Sequence, residues 1–218
     1  MPPLRYDPSQ PGGPLRQGEV LRDLVEVRIV TLANGDAQAV PTEHALSIVM
    51  TQDCDLEQDY FLRFPTDAAP REAEDVDREA NALQMLLLCD AYDAGDLILL
   101  AEYFPTKFNS KERDKIRGNQ NERYHCLDES HLSCAQQVPK LLLDLRTPFA
   151  MPVASVYEQL VDDGQASRAG IVPPIFSHDL TQRFHSYHGR VALPPPDDAL
   201  ALPAGDTPPG SSERSESS

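Results

Sequence analysis

The chain holds 218 residues, with 35 Asp and Glu against 19 Lys and Arg, a net charge of -16 and a pI near 4.6. A charge of that sign argues against broad gripping of nucleic-acid backbone, which needs clustered Lys and Arg, and the longest uncharged apolar runs, 85–89 and 97–101, are far too short for a membrane-spanning helix. The length suits one globular domain, and the opening Met-Pro-Pro-Leu-Arg lacks the apolar stretch of a secretory signal, so a cytoplasmic protein with no membrane contact is expected.

Residues 1–14 carry five prolines and read as disordered. Residues 193–218, with six prolines and a Ser-rich end, read the same way. Neither stretch has enough large apolar groups to offset the entropy of ordering. A single α+β domain is expected over 15–192. It opens at Gly18, Glu19 and Val20, where Val25, Val27 and Ile29 alternate with Glu26 and Arg28. That period of two predicts one or two strands with one buried face. Asn34-Gly35-Asp36 predicts a hairpin turn. The apolar run 45–51 predicts a central strand that presents Asp53 and Asp55 at its rim.

Residues 71–86 are rich in Glu, Ala and Leu and predict a helix packed by Val76, Ala80, Leu83 and Leu87, whereas 85–91 fits a strand as well. Residues 110–117 predict a short charged helix capped by Ser110 and stopped at Gly118. Residues 123–127 and 141–145 predict strands, and 152–162 a short helix. The last helix is expected after Pro173-Pro174, capped by Ser177, with Phe176, Leu180, Phe184 and Tyr187 as its apolar stripe and Gly189 as its stop. The fold class expected is a small SH3-like barrel or a strongly bent antiparallel sheet with two or three helices and disordered termini.

Gly18-Glu19-Val20, a turn, then Ser47-Ile48-Val49-Met50-Thr51-Gln52 resembles the start of PemK/MazF-type toxins. The resemblance covers about 35 residues. It implies an SH3-like barrel that cuts RNA, in a toxin–antitoxin setting, with Thr51 at a position that matters. A basic residue is expected before the second strand, where this chain has Val40-Pro41-Thr42-Glu43. The string Thr51-Gln52-Asp53-Cys54-Asp55-Leu56 also resembles uncharacterised bacterial proteins, which brings no activity with it.

Several side-chain sets carry chemistry. His125, Cys126, His131 and Cys134 supply four thiolate and imidazole donors within ten residues, the ligand types of zinc. Their spacing is not a Cys-x2-Cys knuckle, and His125 and Cys126 are adjacent, so a strand turns them to opposite faces. No cofactor is required otherwise. Cys54, flanked by carboxylates that raise a thiol pKa, becomes a nucleophile only if His125 takes its proton and Asp144 orients the ring, the Cys/His hydrolase arrangement. Lys107, Lys111, Arg113, Lys115, Arg117 and Arg123 form a basic island near Tyr103, Phe104, Phe108 and Tyr124, a pattern that holds single-stranded RNA. Lys, Arg, Glu and Asp alternate there as they do on solvated helices. His178, His185 and His188 on the last helix have no i,i+4 spacing. Gly-rich phosphate loops, Gly-x-Ser-x-Gly and His-Glu-x-x-His are absent.

With no catalytic motif standing clear, the expected function is a non-catalytic bacterial interaction or regulatory module, part of a stress or defence system, whose acidic surface docks a basic protein partner. A PemK-like endoribonuclease or RNA-binding protein is the enzymatic alternative, and a Cys/His hydrolase the second.

Overall fold

A computed structural model describes residues 12–64, 82–95, 108–128, 133–134, 138–161 and 164–189. Contacts divide the chain into two units, Met1–His188 and Gly189–Ser218, and all but Gly189 of the second lies outside the described residues. Most of the helix expected over 71–86 lies outside them too, as do Lys107, His131, residues 1–11 and the Pro- and Ser-rich tail.

The first unit is a mixed α+β structure. Its strands are β1 (Glu19–Thr31), β2 (Ala37–Val49), β3 (Met85–Asp93), β4 (Tyr124–Leu127), β5 (Ser133–Cys134), β6 (Leu141–Pro152) and β7 (Ser167–Ile171). They form one sheet in the order β4-β6-β3-β2-β1-β7-β5, every neighbouring pair antiparallel. The sheet is not closed among the described residues. It is not flat either. Five residues of chain separate Leu127, ending β4, from Ser133, starting β5, six Cα-to-Cα steps with a reach of at most about 21 Å. Seven strands laid flat would hold their outer members about 29 Å apart. The tether therefore forces the sheet to roll.

The helices are α1 (Asp53–Arg63), α2 (Ser110–Arg117), α3 (Val153–Val161) and α4 (Pro174–His188). The two faces of the sheet are covered differently because alternate residues point to opposite sides. Ile48, Cys89, Leu141, Leu143 and Leu145 gather with Leu180 and Phe184 of α4. Val49, Leu86, Leu88, Phe149 and Met151 gather with Leu56 of α1 and Val153, Val156 and Leu160 of α3. On that second side α2 adds Ile116, set against Tyr124, Cys126 and Leu142.

Several expectations shift. The apolar run 45–51 is a strand only to Val49, and Asp53 opens a helix of 11 residues rather than a strand rim. Two acidic residues in a first turn suit the positive end of a helix dipole. Asn109, not Ser110, caps α2: its side chain accepts from Glu112 N while Glu112 accepts from Asn109 N, a reciprocal pair that serine one position later cannot make. Ser177 is not a cap, since α4 starts at Pro174 and the Ser177 hydroxyl donates to Pro174 O at 3.1 Å. Leu180 and Phe184 are buried as the stripe expects, and Phe176 and Tyr187 pack beside them. Residues 12–14 belong to the fold: Arg168 donates to the carbonyls of Gly13 and Pro14.

Gly18 is the pivot between that entry segment and β1. Its φ is +79°, and a Cβ would meet Ser177 Cβ at 3.1 Å and Val172 Cβ at 3.2 Å. Only glycine fits both demands.

Candidate interaction surface

β1 and β2 pair from Val20↔Ile48 out to Thr31↔Ala37, but their neighbours do not follow them. β7 pairs with β1 only over Glu19–Arg22, and β3 with β2 only over Ser47–Val49. Beyond Leu24 the hairpin leaves the sheet as a two-stranded ribbon closed by the turn at Gly35, whose φ is +89°. The expectation of one buried face fails there. Val27 is 62% exposed and Ile29 70% exposed. Across from them stand Pro41 and Ala39, both exposed, so the bare face is apolar over two strands. Between residues 27 and 42 the only charges are Arg28 and Asp36, which cancel.

At the ribbon's base the charges are organised. His44 is buried, with Nδ1 2.6 Å from Asp90 Oδ1 and Nε2 3.4 Å from Glu26 Oε2. Its ring stacks on Phe149 at 3.8 Å and 5°. Arg28 donates to Glu26 at 2.7 Å. Burial pushes the Glu26 carboxyl up, but Arg28 and His44 outweigh it and hold the group below its ordinary value. Beside the ribbon lies a groove of about 530 Å³ lined in part by Val25, Val27, Met85, Glu26, Glu158 and Gln159. Its described lining residues include two carboxylates and no basic side chain. Gln159 fixes the groove to β1, accepting from Val25 N at 2.8 Å and donating to Val25 O at 2.9 Å.

The residues singled out by sequence fall elsewhere. Thr51 uses its hydroxyl to accept from Leu87 N at 2.8 Å, prolonging the β2–β3 contact by one bond. Cys54 is exposed on the first turn of α1, with Gln52 Oε1 at 3.7 Å and Asp55 Oδ1 at 3.6 Å from its sulfur. Asp53 is clasped by Arg16 at 2.8 and 3.0 Å and by Gln17 N at 2.7 Å. Burial raises the Asp53 carboxyl, yet these donors bring it below its ordinary value. His125 stands opposite Leu143 on β4 and β6, whereas Asp144 stands opposite Tyr124, so the two side chains leave opposite faces of the sheet. Asp144 is instead held by Arg123 at 2.5 and 2.8 Å. Cys54, His125 and Asp144 are therefore not brought together.

His125 and Cys126 likewise turn to opposite faces, Cys126 opposite Leu142. Cys134 is in β5, at the other end of the strand order from β4. Among the described residues no group of three or more His, Cys, Asp or Glu side chains is placed to hold a metal. Of the basic island, Lys111, Lys115 and Arg117 are exposed on α2 and Arg113 is half-buried. Arg113 donates to Ser110 Oγ at 3.2 Å, and Arg117 is 3.9 Å from Asp114.

Sequence reasoning placed Val27 and Ile29 in a half-buried strand, alternating with Glu26, and gave no role to His44, Asp90 and Gln159. One signal was present: a neutral, β-branched stretch next to an Asn-Gly turn in a strongly anionic chain. No known protein family matches this chain, nor does any curated protein or solved structure.

Proposed function

We propose that the chain is a non-catalytic protein-interaction module that docks a partner through the distal half of the β1–β2 ribbon. The exposure of Val27 and Ile29 carries this reading. Burying such a side chain releases about 1.5–3 kcal/mol, and a two-stranded ribbon is marginal by itself. An apolar, neutral patch on a molecule at -16 is a surface with something to gain from cover. The surrounding acid favours a basic protein as the partner.

The RNA alternative has α2 as its surface, but Glu112 and Asp114 interrupt its bases and Arg123 is neutralised by Asp144. The rolled sheet supports a barrel-like reading of the fold, and with it the PemK-type resemblance, yet Thr51 is engaged with the backbone of β3. These contacts favour the protein partner.

A photo-crosslinking residue placed at Ile29, and separately at Lys111, tests the choice in the full chain. A protein adduct at position 29 and none at 111 is expected. An RNA adduct at 111 overturns the reading. So does RNA cleavage by the purified chain that is lost on Lys111→Ala, Arg113→Ala and Arg117→Ala.

A further inference from the structure

We infer that the outer edge of β1, residues 27–31, accepts an extended, basic peptide strand, which joins the sheet by main-chain hydrogen bonds and lays a Lys or Arg into the neighbouring groove. This rests on the protein-interaction reading and names how the partner binds. The edge can be assigned from one side chain. Gln159 bonds both N–H and C=O of Val25, so those groups point away from β2. Strand groups alternate from side to side. Val27, Ile29 and Thr31 must then also aim N–H and C=O outward, where β7 no longer follows.

The opposite edge of the ribbon is closed to such pairing. Val27 faces Pro41 in the register. If Val27 points away from β2, Pro41 points away from β1, and its missing N–H blunts the β2 edge. The fold also covers its short edge strand β4: Asn119 accepts from Cys126 N at 2.6 Å and donates to Cys126 O at 2.8 Å. Asn119 does for β4 what Gln159 does for β1 at Val25. The bare run from Val27 to Thr31 holds neither proline nor lysine, and its one charged residue, Arg28, is tied to Glu26 and bonds inward to β2.

Charge selects the occupant. The groove continuing from Val25 and Val27 is walled chiefly by exposed Glu158 and also by Glu26, which Arg28 already pairs; no base is among its described lining residues. A second copy of this chain would bring another charge of -16 to the same wall. A peptide with alternating β-branched residues and a Lys or Arg meets both the edge and the groove.

The test is a random dodecapeptide phage library panned on the full chain. Enriched sequences should be basic and rich in Val, Ile and Thr. Ile29→Pro should weaken the selected peptides about tenfold or more, the equivalent of one or more lost main-chain bonds. It removes an outward N–H and no bond to β2, and the cost of its fixed φ falls on the ribbon rather than the core, so the circular dichroism melt should hold. Glu158→Gln should weaken them severalfold. Amide exchange of the unmodified chain gives a second reading: peptide should slow Val27, Ile29 and Thr31 and leave Arg28 and Val30 unchanged. The inference is overturned by acidic or absent binders, by uniform protection, by peptides indifferent to Ile29→Pro, or by a dimer that Ile29→Pro dissociates. If a protein still crosslinks at position 29 in those cases, the interaction reading survives and edge pairing alone is lost.

Discussion

The two halves of the β1–β2 hairpin share a sequence pattern and meet opposite fates. In the inner half Val20, Leu21, Leu24, Ile48 and Val49 are almost fully buried, with β7 and β3 on the outer edges and helices on both faces. In the outer half Val27, Ile29, Val30 and Leu32 are exposed. Alternation of apolar and polar residues specifies a strand in both places. Burial comes from what the rest of the chain brings alongside, and past Leu24 the described residues bring one glutamine onto the outer edge of β1 and no further strand. An unassisted stretch of this kind is held by its ladder and turn alone, and that makes it available to a partner.

The largest contrast should appear in stability. Leu21→Ala empties a site inside the core and should cost about 2–5 kcal/mol, whereas Ile29→Ala should stay within about 0.5 kcal/mol. Urea unfolding of the two variants measures both. A loss above about 1.5 kcal/mol at Ile29 would break the comparison, because it would mean that the outer half is already covered.

The root of the hairpin should respond to pH above about 4.5, where the ribbon's Glu26, held against its burial below its ordinary value by Arg28, is already ionised. Glu19 is fully buried, and its carboxyl lies 3.2 Å from Arg168 Nη1 without a hydrogen bond to it. Burial, only partly offset by Arg168, raises the Glu19 pKa from 4.5 to about 7. A carboxyl raised in the folded state binds more protons there than when unfolded, so stability falls as pH rises from about 4.5 to about 7. The effect is at most about 3 kcal/mol. Asp53 acts the other way: its lowered pKa adds stability above pH 3.8 that is lost as pH falls further. Thermal melts across pH 3–8 should therefore peak near 4.5, and Glu19→Gln should flatten the decline above it. An unchanged decline in that variant refutes the assignment.

Gln159 marks the border between the halves. Gln159→Ala removes two bonds to Val25, which water can replace in part, so the expected cost is about 1 kcal/mol. Amide exchange should quicken at Val25 and leave Leu21 unaffected. Equal quickening at both would show that the two halves open together.

The strands over β1, β2, β4 and β6, the turn and the terminal helix were legible because their signals are local, whereas β5 and β7 are too short to show a period and were not foreseen. Asn34-Gly35-Asp36 sits in the hairpin turn, and the α4 stripe needs only a period of 3.6. The acidic stretch after β2 misled because carboxylates suit both a strand rim and the first turn of a helix, and choosing needed Arg16 as a distant partner for Asp53. The candidate surface was hidden for a related reason. Whether Val27 and Ile29 are core or surface depends on where β7 and β3 stop, and those lengths are set by residues more than 40 positions away. His44, Glu26 and Asp90 meet only after β1, β2 and β3 align.

The smallest effect should come from the ribbon's tip. Gly35 has φ +89° with nothing within 4 Å of a built Cβ, so Gly35→Ala adds backbone strain and no clash. That strain is about 1 kcal/mol. If the outer half opens independently of the core, the strain is relieved by local opening, and global unfolding shifts by only a few tenths of a kcal/mol. Amide exchange on the inward-bonded residues Arg28 and Val30 should quicken severalfold, with Leu21 and Ile48 unchanged. A full loss of about 1 kcal/mol in global unfolding would place the ribbon inside the cooperative unit, as firmly held as the inner half, and remove the physical reason for it to seek a partner.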